Sequence, residues 1–410
     1  MTRKKDWSLT FLCGLLIVFC IFPYLRIIPL DLDAQPNALI LSVPIILLIR
    51  YRHVPMEIIM LFLMFLCACA ALIFDPSPIG FRALGNYVSL FLITFATYKA
   101  LRYTNGIPYK LFCYCIYVWF IFGFVQTFID STFGDFLTLR GGVESWQKGG
   151  RGATSLAVEP TYYGMICVFL IILNYLNFRN CKNYKWLNLL LVIQIVFSKS
   201  TMVSLFLAIA FVTYFLCKGL SSRKGIYYII YGVIAVIAGN YLIKNYILNI
   251  ESDSRIFTIL HAIYNKPSQF LFVDYSVNNR FMHAFFPIKG FFDDFGMPHG
   301  LAHFNTYLME VKRDPEWGYL LAYDVAKEYR INCAIPLVLF ELGILGFPVI
   351  YILFKTLYGL SKRGYNGLLC GVILFFMMLN NMPFSQAILP FIYGNLIYLY
   401  QVNGRPYKPN

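Results

Sequence analysis

Charge is scarce in this chain. Lys, Arg, Asp and Glu together supply 13% of its 410 residues, about half the share of an ordinary soluble domain. Acid is scarcer than base, with 20 Asp and Glu against 34 Lys and Arg. No Gly-rich loop ending in Lys-Ser or Lys-Thr occurs, which argues against an ATP-driven pump. There is no HExxH and no cluster of Cys and His at ligand spacing, so zinc chemistry has no support. The cysteines, including Cys67 with Cys69 and Cys113 with Cys115, fall inside or at the ends of apolar runs, and no disulfide framework is implied. Internal repeats and low-complexity tracts are also missing.

Apolar sequence fills the space instead. Hydrophobic residues make up 59% of the chain and the mean hydropathy is +0.64. The runs do not alternate polar with apolar as barrel strands would. Each is long enough, or nearly so, to cross a hydrocarbon core, which takes about 20 helical residues. The expected spans lie near 8–30, 38–49, 56–74, 87–100, 111–128, 161–176, 186–197, 202–217, 226–243, 334–358, 368–379 and 387–400. The fold class is therefore all-α, a polytopic transmembrane helical bundle of about twelve spans. The first run follows Arg3, Lys4 and Lys5 but is too long for a signal peptide and has no small-residue cleavage site, so it reads as a retained helix. Pro23, Pro44, Pro348 and Pro390 are expected to kink their helices.

The net charge of +14 needs no nucleic-acid partner. With the N-terminus inside, one set of helix ends collects Arg50, Arg52, Lys99, Arg102, Arg179, Lys182, Lys185, Lys218, Arg223, Lys224, Lys355, Lys362 and Arg363, against few acids such as Asp6 and Glu57. Excess Lys and Arg mark the cytoplasmic side and meet anionic headgroups there. Both termini are then cytoplasmic. Helical segments over 1–129, 161–243 and 331–400 alternate with two long extracytoplasmic loops, 130–160 and 244–330, and residues 401–410 form a tail. The second loop, with nearly balanced charge, is long enough to be a small domain. In it, Ser254 is placed to cap a helix starting at Arg255, with Ile256, Ile259, Leu260 and Ile263 on one face.

Two loop segments carry residues suited to chemistry. In the first, RGGVESWQKGGRGATSLAVEPTYYG from Arg140 to Gly164, glycines let backbone N–H groups approach an anion, and Arg140 and Arg151 offer forked donors for phosphate oxygens. Glu159 precedes Pro160 at the first turn of the next helix, where a carboxylate can act as a general base. The competing reading is a loop that touches headgroups and a Glu that complements a helix N-terminus. In the second, Arg280 suits another anionic group and His303, near His283 and His299, suits proton transfer. A purely structural role for these histidines stays open. So does a weak metal role for the Asp31-x-Asp33 pair or for Asp293 and Asp294.

Four stretches, in this order, resemble the O-antigen polymerase and ligase superfamily: Ala157-Val158-Glu159-Pro160-Thr161 after the Arg/Gly loop; Phe197-Ser198-Lys199-Ser200-Thr201, with Lys in place of the usual Arg; Ala302-His303-Phe304-Asn305, with Phe304 between a His and an Asn that are often adjacent; and Glu341-Leu342-Gly343-Ile344-Leu345-Gly346. The resemblance spans about Arg140 to Gly346. It implies a GT-C-like membrane glycosyltransferase of the bacterial inner membrane that needs no metal or other cofactor. Its donor and acceptor would be oligosaccharides linked to undecaprenyl pyrophosphate, polymerised at the periplasmic face, with a chain-length regulator protein as a further partner. Arg140, Arg151, Arg255, Arg280 and Lys199 are then the candidates to hold the pyrophosphate, and Glu159, followed by His303, the candidates for the base. Trp146, Tyr162, Tyr163 and Phe295 are candidates to stack on sugars. Two alternatives remain: a ligase that transfers glycan to lipid A core, and a polysaccharide flippase or other transporter. Transport is disfavoured by the near absence of ionisable residues deep in the runs.

Overall fold

The computed structural model describes residues 6–28, 30, 32–51, 53–139, 152–221, 225–246, 261–266, 271–272, 275–321, 330–380 and 382–402. Among these residues the chain is all-helical, and its only β feature is an isolated bridge between Cys333 and Met382. The helices are α1 Trp7–Ile21, α2 Asn37–Leu48, α3 Met56–Phe74, α4 Pro78–Thr104, α5 Tyr109–Phe128, α6 Pro160–Phe178, α7 Tyr184–Ser198, α8 Thr201–Ser221, α9 Gly225–Asn245, α10 Tyr275–Asp293, α11 Phe304–Arg313, α12 Ala334–Leu342, α13 Phe347–Ser361, α14 Gly367–Met378 and α15 Ile388–Gln401.

Helices run where apolar residues are continuous and stop where the chain supplies a cap or a breaker. Asp6 caps α1 by accepting from the Ser8 N–H, and α1 ends at Ile21, two residues before Pro23, well short of residue 30. Proline at 23 thus ends the helix and does not bend it, since it has no N–H to continue the ladder. At α4, Ser77 Oγ accepts from the Gly80 N–H and Pro78 occupies the first turn, so this helix begins nine residues earlier than its apolar run. Pro44 lies inside α2. Pro348 lies in the first turn of α13, where a proline is tolerated.

Among the described residues, five helical segments are long and apolar enough to cross a membrane: Met56–Phe74, Pro78–Thr104, Tyr109–Phe128, Pro160–Phe178 and Ala334–Ser361. The last of these joins α12 to α13 through a 3-10 turn, Gly343–Gly346. Most of the other expected runs form shorter apolar helices. Large apolar side chains stay exposed along them, such as Leu63 on α3, Ile121 on α5 and Val196 on α7. Water disfavours so much exposed apolar surface and lipid accepts it, so the build is that of a multi-pass membrane protein.

Hydrogen bonds and ion pairs sort the helix ends into two groups. At one end Lys99 Nζ donates to Ile46 O (2.7 Å), Lys355 pairs with Glu57 (2.8 Å), and Arg179 donates to Gly364 O (2.6 Å). Arg363 donates there to Tyr400 O (3.1 Å). At the other end Arg26 N meets Leu137 O (2.8 Å), Tyr24 donates to Gln386 (2.8 Å), and Asn86 accepts from Ser385 N (3.0 Å). The loop-rich stretch from α10 to α11 docks at this second end and shares the bundle core through Met282, Phe286, Phe304 and Leu308. It is therefore packed into the bundle, not standing apart from it. Its seat is the α12–α13 break. His299 N and Gly300 N donate to Phe340 O and Glu341 O, and Ile344 N donates to Gly296 O.

Candidate functional site

The stretch 152–158, which leads to Glu159, is buried throughout. Backbone inside a bundle must find partners, and here one side chain supplies most of them. Gln126, near the end of α5 and 1% exposed, accepts from Thr154 N (3.1 Å) and Ser155 N (2.6 Å). Its amide nitrogen donates to Ser155 O (3.0 Å) and Phe133 O (2.7 Å). Ser155, at a positive φ of 51°, completes the clamp by donating to Trp119 O at 2.8 Å. No local motif surrounds Gln126. The available signal was a lone amide in an otherwise apolar helix.

The clamped stretch also lies against the end of α7. Ala153 N donates to Phe197 O at 3.0 Å, and a Cβ on Gly152 would stand 2.2 Å from the same oxygen. Lys199 follows directly, exposed and left-handed at φ 44°. The segment leading into the Ala157–Thr161 stretch and the start of the Phe197–Thr201 stretch are thus neighbours in space.

Glu159 is the N-cap residue of α6, in extended conformation, with Pro160 in the first turn. It is half-buried, and its electrostatic neighbourhood includes Tyr24, which is also close to Tyr162 and Asp33. Arg280 arrives from α10: its Nη2 donates to Thr161 Oγ1 at 3.3 Å, two residues beyond Glu159. A cation from the second long loop therefore meets the helix start at which the first one ends. One turn along α10, His283 is buried, with Nε2 3.3 Å from Asn332 Nδ2.

His303 is engaged elsewhere at this end. Its Nε2 lies 2.5 Å from Asp75 Oδ2, at the corner between α3 and α4. His299 stacks on Phe340 with centroids 4.0 Å apart and pairs with Asp294 at 3.0 Å. Burial holds its pKa below the ordinary histidine value, and the Asp294 carboxylate pulls the other way. Asp293 accepts from Lys289 (2.6 Å) and Tyr307 (2.8 Å). Tyr163, a candidate sugar platform, is instead buried core: its hydroxyl reaches Trp119 O (3.3 Å) and Gln194 (3.2 Å). The reason is helical phase, since Tyr162 and Tyr163 point about 100° apart on α6. Tyr162 remains at the surface of a cavity, and Phe295 is exposed. Arg140, Arg151, Arg255, Ser254, Asp31 and Trp146 lie outside the described residues.

That cavity, of about 670 Å³, opens beside the α6 start. Its wall includes Asp33, Arg82 from α4, Tyr162, Arg330 and Asn332 before α12, and Gln386 before α15. The volume falls inside the roughly 300–1,000 Å³ of small-ligand sites. Arg330 is lowered from the usual arginine value by burial and by the charge of Arg82, an effect that Asp33 offsets. Arg82 and Arg330 escaped the sequence reading, because each is a single cation flanking an apolar run. Comparison with protein-family models and with curated proteins finds no match.

Proposed function

We propose that the protein is a membrane glycosyltransferase that polymerises undecaprenyl-pyrophosphate-linked oligosaccharide repeat units into a surface polysaccharide. The observation that carries this reading is the meeting of Arg280 with Thr161 at 3.3 Å, beside Glu159 and the mouth of a cavity whose wall holds Arg82 and Arg330. In the proposed reaction Glu159 takes the proton from an acceptor sugar hydroxyl. The oxygen then attacks the anomeric carbon of the donor, and the bond from that carbon to the diphosphate breaks with its electron pair on the leaving oxygen. Arg280, with Lys199 and the loop arginines Arg140 and Arg151, stabilises the departing charge, a task for fixed cations in a water-poor site. Direct displacement inverts the anomeric centre. His303 is the second candidate base, and its contact with Asp75 would orient its ring.

The reading goes with about twelve crossings of a bacterial inner membrane, a GT-C-like arrangement, cytoplasmic termini and a periplasmic site. It is supported by the segregation of Lys99, Arg179, Lys355 and Arg363 to the end opposite Glu159 and Arg280. Purified protein supplied with a lipid-linked repeat unit should build a polymer ladder. Glu159→Gln and Arg280→Ala should each reduce chain extension at least about 100-fold, the scale of a lost general base or a lost charge-stabilising donor. Ladders of wild-type length and rate from both variants would remove the assignment.

A further inference from the structure

The cavity beside α6 has a composition that points to more than a passage for lipid-linked sugar. Among its described lining residues the charged groups are Asp33, Arg82 and Arg330, a surplus of one positive charge. The two arginines are close enough for each to feel the other, a repulsion that an entering anion relieves. Around them stand amides with one side already committed. Asn86 Oδ1 accepts from Ser385 N (3.0 Å), and Gln386 Oε1 accepts from Tyr24 (2.8 Å). Both therefore have their amide N–H groups turned away from those contacts. Gln35 is the reverse. Its Nε2 donates to Leu30 O (3.3 Å) and Leu32 O (2.5 Å), and its Oε1 is buried with no donor. Tyr162 adds a ring, set 5.6 Å from that of Tyr24.

Forked cations, amide side chains, the Asp33 carboxylate and an aromatic face are the complement of a sugar that also bears a carboxylate. A bare diphosphate would use the cations and leave the Asp33 carboxylate opposed to it. A neutral sugar would leave the surplus positive charge unmet. We infer that this cavity is a subsite for a carboxylate-bearing sugar residue, with Arg82 and Arg330 on the carboxylate and the Asn, Gln and Asp side chains on the hydroxyls. The inference rests on the glycosyltransferase reading for its biological setting, and on the cavity alone for its chemistry.

The test is equilibrium binding to the purified full-length protein in lipid nanodiscs, by calorimetry. Three probes are compared: a disaccharide with one uronic acid, the same disaccharide with the carboxylate reduced to a primary alcohol, and inorganic pyrophosphate. The acidic disaccharide should bind at least ten-fold more tightly than the reduced one. Arg82→Ala and Arg330→Ala should each remove that preference while leaving the weak binding of the reduced sugar unchanged. Arg82→Lys, which keeps the charge and loses the fork, should fall between, and its thermal midpoint checks that the fold is intact. Equal binding of acidic and reduced sugars overturns the inference in favour of a neutral-sugar site. Pyrophosphate displacing the acidic sugar through the same arginines overturns it in favour of a diphosphate seat, and no binding of any probe also overturns it. Glu159→Gln should reduce chain extension at least about 100-fold and leave this binding as in wild type, so loss of either result identifies which of the two readings has failed.

Discussion

Gln126 spends both ends of its amide on the backbone that delivers Glu159, and this makes it the most consequential single polar residue outside the site. Replacing it with Leu keeps the volume and strands the N–H groups of Thr154 and Ser155 in the bundle interior. Each buried donor left alone costs about 1–3 kcal/mol, so Gln126→Leu should lower stability by about 2–6 kcal/mol. A thermal or denaturant midpoint in detergent measures it, and an unchanged midpoint would show that water or another residue satisfies the loop. His299 makes a separate point at the same scale. Its folded pKa lies below the ordinary value of about 6.5, so the unfolded chain binds the proton first on acidification. Its contribution to stability is therefore complete above about pH 6.5 and is lost as the pH falls below that value. Asp294, Asp293 and His303 share its electrostatic surroundings. His299→Phe retains the stack on Phe340 and has no proton to gain. Its midpoint should fall less than that of wild type between pH 7.5 and 5.5.

Among the helices, what could be read from sequence followed from breakers and apolar runs. The positions of α2, α3, α5 and α6 agree with their runs to within two residues at either end, because Pro55, Pro108 and Pro160 sit where a helix can begin. The end of α1 was misjudged because its apolar run continues past Pro23 in a conformation that is no longer helical. The meeting of the two candidate stretches was legible where each announced itself, as at Glu159-Pro160 and at Arg280. The rest was illegible where single residues from distant segments combine, as in the wall shared by Asp33, Arg82, Arg330 and Gln386. The stretch from Glu341 to Gly346 stood out by its glycines, and their function is geometric. Gly343 has φ +58° and ψ −134°, a region that side chains avoid, and a Cβ on it would lie 2.2 Å from Gly296 O. Strain of this kind costs about 1–3 kcal/mol before any clash is counted. Gly343→Ala should push the 296–300 loop off the α12–α13 break and open it to protease. A digestion pattern like that of wild type would mean that the helix break absorbs the methyl group without moving the loop.

For the molecule as a whole, the decisive property is its two-ended distribution of charge. Lys355, Lys362, Arg363, Arg179 and Lys99 gather where α2, α4, α6, α13 and α15 meet, while Glu159, Arg280, Arg82 and Arg330 gather at the opposite end. A bilayer reads such a difference as orientation, because the Lys- and Arg-rich short loops stay on the cytoplasmic side. The proposed reaction needs a periplasmic site, and under that proposal the side would be set by residues far from the chemistry. Introduced cysteines can report it, since Cys13, Cys20, Cys67, Cys69, Cys113, Cys115, Cys167, Cys181, Cys333 and Cys370 are buried or half-buried. Asp130→Cys, at an exposed position after α5, should react with a membrane-impermeant maleimide in intact spheroplasts. Lys362→Cys, exposed at the end of α13, should react only after permeabilisation. The opposite pattern would place Glu159 in the cytoplasm, on the wrong side for a polymer bound for the cell surface. It would thereby remove the proposed reaction even if every contact at the α6 start proved correct.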